Sequence, residues 1–299
     1  MPKMTSPTPV PDPRQSACPA CGGAWKRLYQ KNGCEVSRCT VCGLGRAEPG
    51  QFDPASYYTE DYFNGSHSDG YSDYAASEQV LRHEFSRVAD VLRRYCKPGA
   101  RLLEIGCAYG FFLKEARSTF EVQGIEIAEE AVQACHRAGL HQVRQGSADE
   151  ATLRRIGEVD AIVMLDVVEH LVDPFSTLET CSRQLTPGGA LLITTGDFNA
   201  WVARLAGRRW RLMTPPQHLW YFTPESLRRI ASRLGLEVVA CTHPSKIVPL
   251  SLIFFQVGRM LGLKGRAPGA GMSKVGVPVN LFDAMRVVLR KPQAAAQPA

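Results

Sequence analysis

The residues best suited to chemistry in this 299-residue chain fall into two groups. In the middle, Asp166-Val-Val-Glu169-His170 gathers two carboxylates and an imidazole in one short run. On a helical turn, residues three and four apart share a face, so these side chains can converge. Three roles are open to them. His170 can be a general base for a substrate hydroxyl, with Glu169 beside it. The trio can hold Mg²⁺, although that hard cation prefers oxygen to an imidazole. Or Glu169 and His170 can cap the turn and line a pocket. His218 is a second candidate for handling a proton.

The other group lies near the start. Cys18-Pro-Ala-Cys21 and Cys39-Thr-Val-Cys42 are two C-x-x-C pairs, each followed by a glycine, Gly22 or Gly43, that permits a tight knuckle. Four thiolates make a closed tetrahedral set, the pattern of structural Zn²⁺. Trp25, Leu28, Tyr29 and Val36 predict two short ribbon strands between the pairs. A ribbon of this size cannot bury a sufficient core, so a metal would supply much of its stability. Cys34 is a spare thiol.

Composition is that of a soluble globular protein. A net charge of +6 does not by itself imply nucleic acid, whose binders show clustered basic faces. The Pro-rich start has no apolar core and does not read as a signal peptide. Ten cysteines without such a signal predict a reducing, cytoplasmic setting. The longest apolar run, Ile247 to Val257, is broken by Pro249 and Ser251 and is too short for a membrane span, which needs about 20 residues. The expected organisation is a disordered tail over 1–17, a zinc ribbon over 18–50, an aromatic linker or lid over 51–77, a main domain over 78–291 and a disordered tail over 292–299.

The elements that must position these residues follow from periodicity. Leu81, Phe85, Val88 and Leu92 form one stripe of a helix over Glu78 to Cys96. Leu102 to Ile105 is a buried strand, Gly106 to Gly110 a small-residue turn, and Phe111 opens a helix. Such a crossover binds ligands at the carboxyl end of its strand. Gly106-x-x-x-Gly110, with Ala108 where a third glycine could sit, is a poor phosphate cradle and disfavours a dinucleotide. Glu104 is expected to aim into the pocket, where an acid suits an ammonium-bearing ligand. Glu126 closes the second strand, where an acid can accept from both hydroxyls of a ribose. Further strands at His141 to Arg144, Asp160 to Leu165, Ala190 to Thr195, Leu236 to Cys241 and Met285 to Leu289 alternate with helices, apart from a final antiparallel insertion. The fold class is therefore α/β, a doubly wound, Rossmann-like, seven-stranded sheet of order 3-2-1-4-5-7-6.

Two segments keep more than one reading. Gly196 to Phe222 mixes Arg204, Arg208, Arg209 and Arg211 with Trp201, Trp210 and Trp220. It suits a phosphate, carboxylate or sugar, or stacked bases, or it is a solvated basic loop. The apolar helix from Pro249 to Leu263 can cover the pocket, form a homodimer face or rest on a membrane surface.

The run RLLEIGCAYG resembles the first motif of class I S-adenosylmethionine-dependent methyltransferases, with Ala108 departing from its glycines. The Asp166-x-x-Glu169-His170 run resembles the signature of the ubiquinone-biosynthesis O-methyltransferases, whose acids and histidine can hold a divalent cation. PPQHLWYFTPESLRRIASRLGLEVV resembles a segment of zinc-ribbon-bearing methyltransferases of bacterial glycan and natural-product pathways. The resemblance implies S-adenosylmethionine as cofactor. It implies contacts from Glu104, Gly106, Cys107, Ala108, Gly110, Glu126, Ile127, Leu165 and Tyr71. It places adenine against Ala148, with Ser147 or Asp149 accepting from its amine. The expected partner is a small-molecule or glycan acceptor, acidic in view of the arginine loop, methylated on oxygen or carbon. An RNA acceptor and a non-catalytic binding module are the alternatives.

Overall fold

The computed structural model describes residues 17–49, 74–260 and 270–293. Tyr71 and most of the aromatic linker lie outside them. The first strands, β1 (Trp25–Lys31) and β2 (Cys34–Cys39), pair antiparallel. Asn32 and Gly33 join them at φ of 49° and 78°. Two positive-φ residues are the turn that matches strand twist. β3 (Gly45–Glu48) adds to β2.

Helix α1 (Glu78–Leu92) buries Val80, Val88, Ala89 and Leu92, and ends four residues before the expected Cys96. Then β4 (Arg101–Ile105), α2 (Phe111–Ala116), β5 (Glu121–Glu126), α3 (Glu129–Arg137), β6 (Val143–Gln145), α4 (Glu150–Arg154) and β7 (Val159–Leu165) alternate. Helix α5 (Pro174–Gln184) starts where Asp173 Oδ1 accepts from the N–H groups of Phe175 and Ser176, both at 3.1 Å. β8 (Leu185–Gly196) begins earlier than expected. Thr186 to Gly189 bulge within the strand: Val159 pairs with Leu185 and Ala161 already with Ala190.

Helix α6 (Trp201–Ala206), strand β9 (Trp220–Tyr221) and helix α7 (Pro224–Arg233) follow. Next come β10 (Glu237–Thr242), β11 (Lys246–Pro249), α8 (Leu250–Met260), α9 (Ala270–Ser273), β12 (Gly276–Val279) and β13 (Ala284–Arg290). β12 pairs antiparallel with β11.

Seven strands form the main sheet in the order β6-β5-β4-β7-β8-β13-β10, the expected order. β13 runs antiparallel between β8 and β10. Side chains alternate faces along each strand. Leu103, Ile105, Ile162, Met164, Leu191 and Ile193 pack on one side with α5 and α7. Leu102, Ala161, Val163 and Leu192 pack on the other with α1, α2 and α3. The ribbon is not a separate bead. Cys18, Cys39, Cys42 and Leu44 belong to the first of these cores, and β9 completes the ribbon sheet as its fourth strand. Among the described residues no helix is long and apolar enough to cross a membrane.

Candidate functional site

β4 has β5 on one side and β7 on the other, so the carboxyl ends of these strands open a crevice. A cavity of about 400 Å³ fills it. Of the residues expected there, Gly106, Ala108, Glu126, Ile127, Ser147, Ala148, Asp149 and Leu165 line it. Gly106 has φ 71°, and a Cβ there would stand 2.6 Å from Val167 Cγ2. Ala108 has φ 46°, the left-handed conformation a glycine would adopt more easily. The turn is held by Glu126: Oε2 accepts from Ala108 N–H at 2.8 Å and Oε1 from Ala128 N–H at 2.9 Å. Burial raises its pKa, with those N–H groups opposing. Asp149 caps α4, accepting from Thr152 N–H at 2.8 Å, and also meets the Ser147 hydroxyl.

Three of the residues expected to contact the cofactor stand outside the lining of this cavity. Glu104 does not line the cavity: its neighbour Ile105 does, and alternation sends Glu104 to the opposite face. There burial first, then the charges of Cys135 and Glu126, raise its pKa well above the usual range. Cys107 is turned inward against Cys135 and Gly124. Gly110 caps α2 at φ 69°, where a Cβ would strike Leu140 Cδ1 at 2.5 Å. These two residues shape the turn and do not line the cavity.

A second cavity, of about 460 Å³, lies beyond the wall. Tyr74, Leu165, Asp166 and His170 line both. Asp166 leaves the expected trio. Its φ is 55°, Oδ2 accepts from Lys246 Nζ at 2.6 Å and Oδ1 from the Thr194 hydroxyl at 2.9 Å. Burial opposes its charge, but Lys246 and Thr194 outweigh that and hold its pKa below the carboxylate range. Val168 to His170 make a single 3₁₀ turn, not an α-helix. The residue that joins Glu169 and His170 is His218; one ligating atom from each lies within 4.8 Å of the others. His170 Nδ1 bonds Gln217 O at 2.9 Å, and His218 Nδ1 bonds Leu212 O at 2.8 Å. A carbonyl only accepts, so each Nδ1 carries the proton, and the Asp166 main chain is a second partner of His170.

Burial lowers His170 to about 4 and His218 well below its ordinary value. Burial, then the Asp166 charge, raises Glu169 to about 8. The site therefore sets a neutral carboxyl beside two neutral imidazoles. Two imidazole nitrogens and a single carboxyl offer few of the oxygen ligands that Mg²⁺ prefers.

The family described as "Methyltransferase domain" matches residues 78–241, more than half of the chain. The chain belongs to the class I methyltransferases. A ubiquinone biosynthesis O-methyltransferase of Aromatoleum aromaticum is 29% identical over 154 residues, 46% of this chain and 64% of that one. One from Azoarcus sp. is 27% identical over 181 residues, 55% and 77% of the two chains. The match to the first spans less than two thirds of that relative's length. A chain in the complex between the Haloferax volcanii Trm112 methyltransferase activator and the putative methyltransferase is 18% identical. It has a TM-score of 0.50, covering 74% of this chain and 96% of that one, and shares the fold.

In this methyltransferase the basic loop mainly supports the structure. Trp210 is buried and donates from Nε1 to Asp283 Oδ2 at 2.8 Å. Arg211 grips the same carboxylate through Nε and Nη2 at 3.0 and 2.8 Å. Of its arginines only Arg211 reaches the second cavity. Sequence reasoning missed Val167, Val172 and Thr177, which also line the first cavity. Apolar residues beside a loop carry no signal of their own.

The thiols of Cys18, Cys21, Cys39 and Cys42 converge, all within 4.8 Å. Cys18 and Cys42 stand 3.6 Å apart and Cys21 and Cys39 3.4 Å. A tetrahedron with metal–sulfur bonds of about 2.3 Å has edges of about 3.8 Å, so the four fit one zinc ion. Val41 N–H points at Cys39 Sγ at 3.4 Å, as expected for a donor to a thiolate. Gly22 and Gly43 take φ of 74° at the knuckles.

Proposed function

We propose that this methyltransferase transfers a methyl group from S-adenosylmethionine to the oxygen of a small-molecule or glycan acceptor with an apolar portion. The observation that carries the reading is the shared wall of the two cavities, Tyr74, Leu165, Asp166 and His170. The first cavity suits the cofactor. The Glu126 carboxylate, which lines this cavity, would offer an acceptor to ribose hydroxyls, and Ala148 with Ser147 or Asp149 would border adenine. The bound cofactor would supply an activated methyl on sulfur. The chain must then hold the acceptor hydroxyl in line and take its proton. His170, neutral and on the wall shared by both cavities, is the base we favour, with His218 second. Glu169, protonated and with a buried Oε2 that bonds nothing, would orient the acceptor.

Phe85, Val88, Ile247, Leu252, Ile253 and Val257 border the second cavity, which suits an apolar body. Its cations already face carboxylates: Arg211 on Asp283, Lys246 on Asp166 and Arg286 near Glu84. An acidic acceptor would have to compete for them. Two relatives named for ubiquinone O-methylation agree with a hydroxyl acceptor. Zinc at the four thiolates and a reducing, cytoplasmic setting complete the reading. Calorimetric titration with S-adenosylmethionine, followed by transfer of a labelled methyl to hydroxylated amphiphiles, tests it; absence of cofactor binding defeats it.

A further inference from the structure

We propose that the thiolate ribbon is a clamp on residues 208–223 that positions His218, Glu169 and His170 for the acceptor, while leaving the cofactor cavity independent. The inference rests on the reading of those three residues as the acceptor site.

Four ties join the ribbon to that segment. Lys31 Nζ donates to Arg208 O at 2.9 Å. Asn32 Nδ2 donates to Pro215 O at 2.7 Å. β3 pairs with β9, Gly45 opposite Tyr221 and Arg46 opposite Trp220, and Ala47 N–H extends the ladder to Leu219 O at 2.8 Å. The Thr223 hydroxyl donates to Cys42 O at 2.8 Å.

Between these ties lies the support of the site. Gln217 O receives the Nδ1 proton of His170. His218 follows, and the Tyr221 hydroxyl donates to its carbonyl at 3.1 Å. Leu219 N–H donates to Glu169 O at 2.9 Å. A short strand paired at only two positions has little stability of its own. The ribbon fixes it, and the knuckle fixes the ribbon: Cys42 is a metal ligand as well as the acceptor for Thr223, and Gly45 follows three residues later. The lining of the cofactor cavity takes no residue from 17–49 or 208–223.

Thr223, Asn32 and Gly45 are thus positioning residues. Gly45 marks how close the two pieces lie. A Cβ there would stand 2.7 Å from Phe198 Cε1 and 2.9 Å from Tyr221 Cβ. Gly45→Ala should push β9 off β3 without touching a thiol. Asn32→Gly is gentler. Its φ of 49° suits glycine, so only the bond to Pro215 is lost.

The test compares the full-length zinc-loaded protein, the same protein after chelation and zinc return, and both variants. Metal content, S-adenosylmethionine affinity, amide exchange over 214–223 and the kcat and KM for acceptor are measured. Chelation should raise exchange over 214–223 by about tenfold or more. It should change cofactor affinity by less than about twofold. Zinc should restore protection. Gly45→Ala should keep its metal and cofactor affinity yet show the same exchange, with acceptor KM raised and kcat lowered together. Asn32→Gly should move in the same direction by less, and it decides the matter if Gly45→Ala does not fold. Unchanged exchange in the chelated protein overturns the clamp, as does equal weakening of cofactor binding. If the native chain fails to bind S-adenosylmethionine, the methyltransferase reading falls, while the exchange result still decides whether ribbon and segment are coupled.

Discussion

The rings of His170 and His218 meet edge to face, 4.7 Å between centroids and 81° between planes. They come from distant segments, one from the turn after β7 and the other from the loop before β9. Each ring spends its Nδ1 proton on a main-chain carbonyl, so the two keep one tautomer and one orientation. His170 of this pair stands on the wall shared by the two cavities, and His218 lines the second.

The first prediction concerns the pH range of His170. With His170 held at about 4, the base is unprotonated throughout the neutral region. The acid limb of kcat/KM should therefore fall near 4 and not near the ordinary imidazole value. His170→Asn should lower turnover by about 10²–10⁴-fold, the usual range for a lost general base. Cofactor affinity, measured by titration, should change far less. Full turnover in the variant would leave His170 as pocket lining.

Glu126 is the test of the cofactor cavity. Both of its oxygens accept main-chain N–H groups at the turn. Glu126→Gln replaces one acceptor by an amide donor, so an N–H loses its partner and a ribose hydroxyl loses its acceptor. Binding of S-adenosylmethionine should weaken by about 1–3 kcal/mol. Calorimetry would read this directly, and unchanged affinity would mean that the ribose lies elsewhere.

Most of the architecture could be read from the chain because apolar strands alternate with amphipathic helices, and because handedness then leaves few topologies. The turn at Gly106 and the acid at Glu126 were legible for the same local reason. Glu104 was not. A strand's period of two separates its faces but does not say which one meets the ligand. The approach of His218 to Glu169 was also hidden, since it depends on β9, only two residues long and without periodicity. Thr223 caps α7, its hydroxyl accepting from Ser226 N–H at 3.0 Å, while the bond it donates to Cys42 joins residues 181 apart and has no sequence signal.

Zinc at the ribbon makes a stoichiometric prediction. The purified chain should hold one ion, measured by elemental analysis, because four thiolates fit one tetrahedron. Cys39→Ser should lose it, since a hydroxyl is a weak substitute for thiolate. Undiminished metal content would show that the four thiols are not the ligands.

The turn after β4 predicts two substitutions of opposite sign. Ala108 adopts φ 46°, which costs a residue with a Cβ about 1–2 kcal/mol. Ala108→Gly relieves that strain, and the extra freedom of the unfolded chain offsets about half. Thermal unfolding should show a net gain of about 0.5–1 kcal/mol. Gly106→Ala should do the reverse. Its φ of 71° and the 2.6 Å approach to Val167 add strain and overpacking, together a loss of about 1–3 kcal/mol. Val167 also lines the cofactor cavity, so this variant should bind S-adenosylmethionine less well. A stabilised Gly106→Ala would contradict the turn geometry.

Glu169 and His170 together set a pH dependence of stability. Glu169 is raised to about 8 by burial and by Asp166. Between its ordinary value of 4.5 and about 8, the folded chain keeps a proton that the unfolded chain has released. Its contribution is therefore complete below 4.5 and is lost as pH rises through about 8. His170 acts in the other direction. Between 6.5 and about 4 the unfolded chain takes a proton that the folded one refuses, so acidification through that window destabilises. From 4.5 to 6.5 these two slopes oppose each other; above 6.5 the His170 slope ends, while the Glu169 slope continues to about 8 alongside that of the raised Glu104 carboxyl. Urea titrations across this range should find the native chain losing stability towards pH 8. Glu169→Gln removes one titrating carboxyl, so it should lose less stability than the native chain between 6.5 and about 8, while both proteins still lose stability on acidification through His170 and His218. Equal alkaline losses in the two proteins would mean that Glu169 is already ionised in the folded state, and its role as a neutral donor to the acceptor would have to be abandoned.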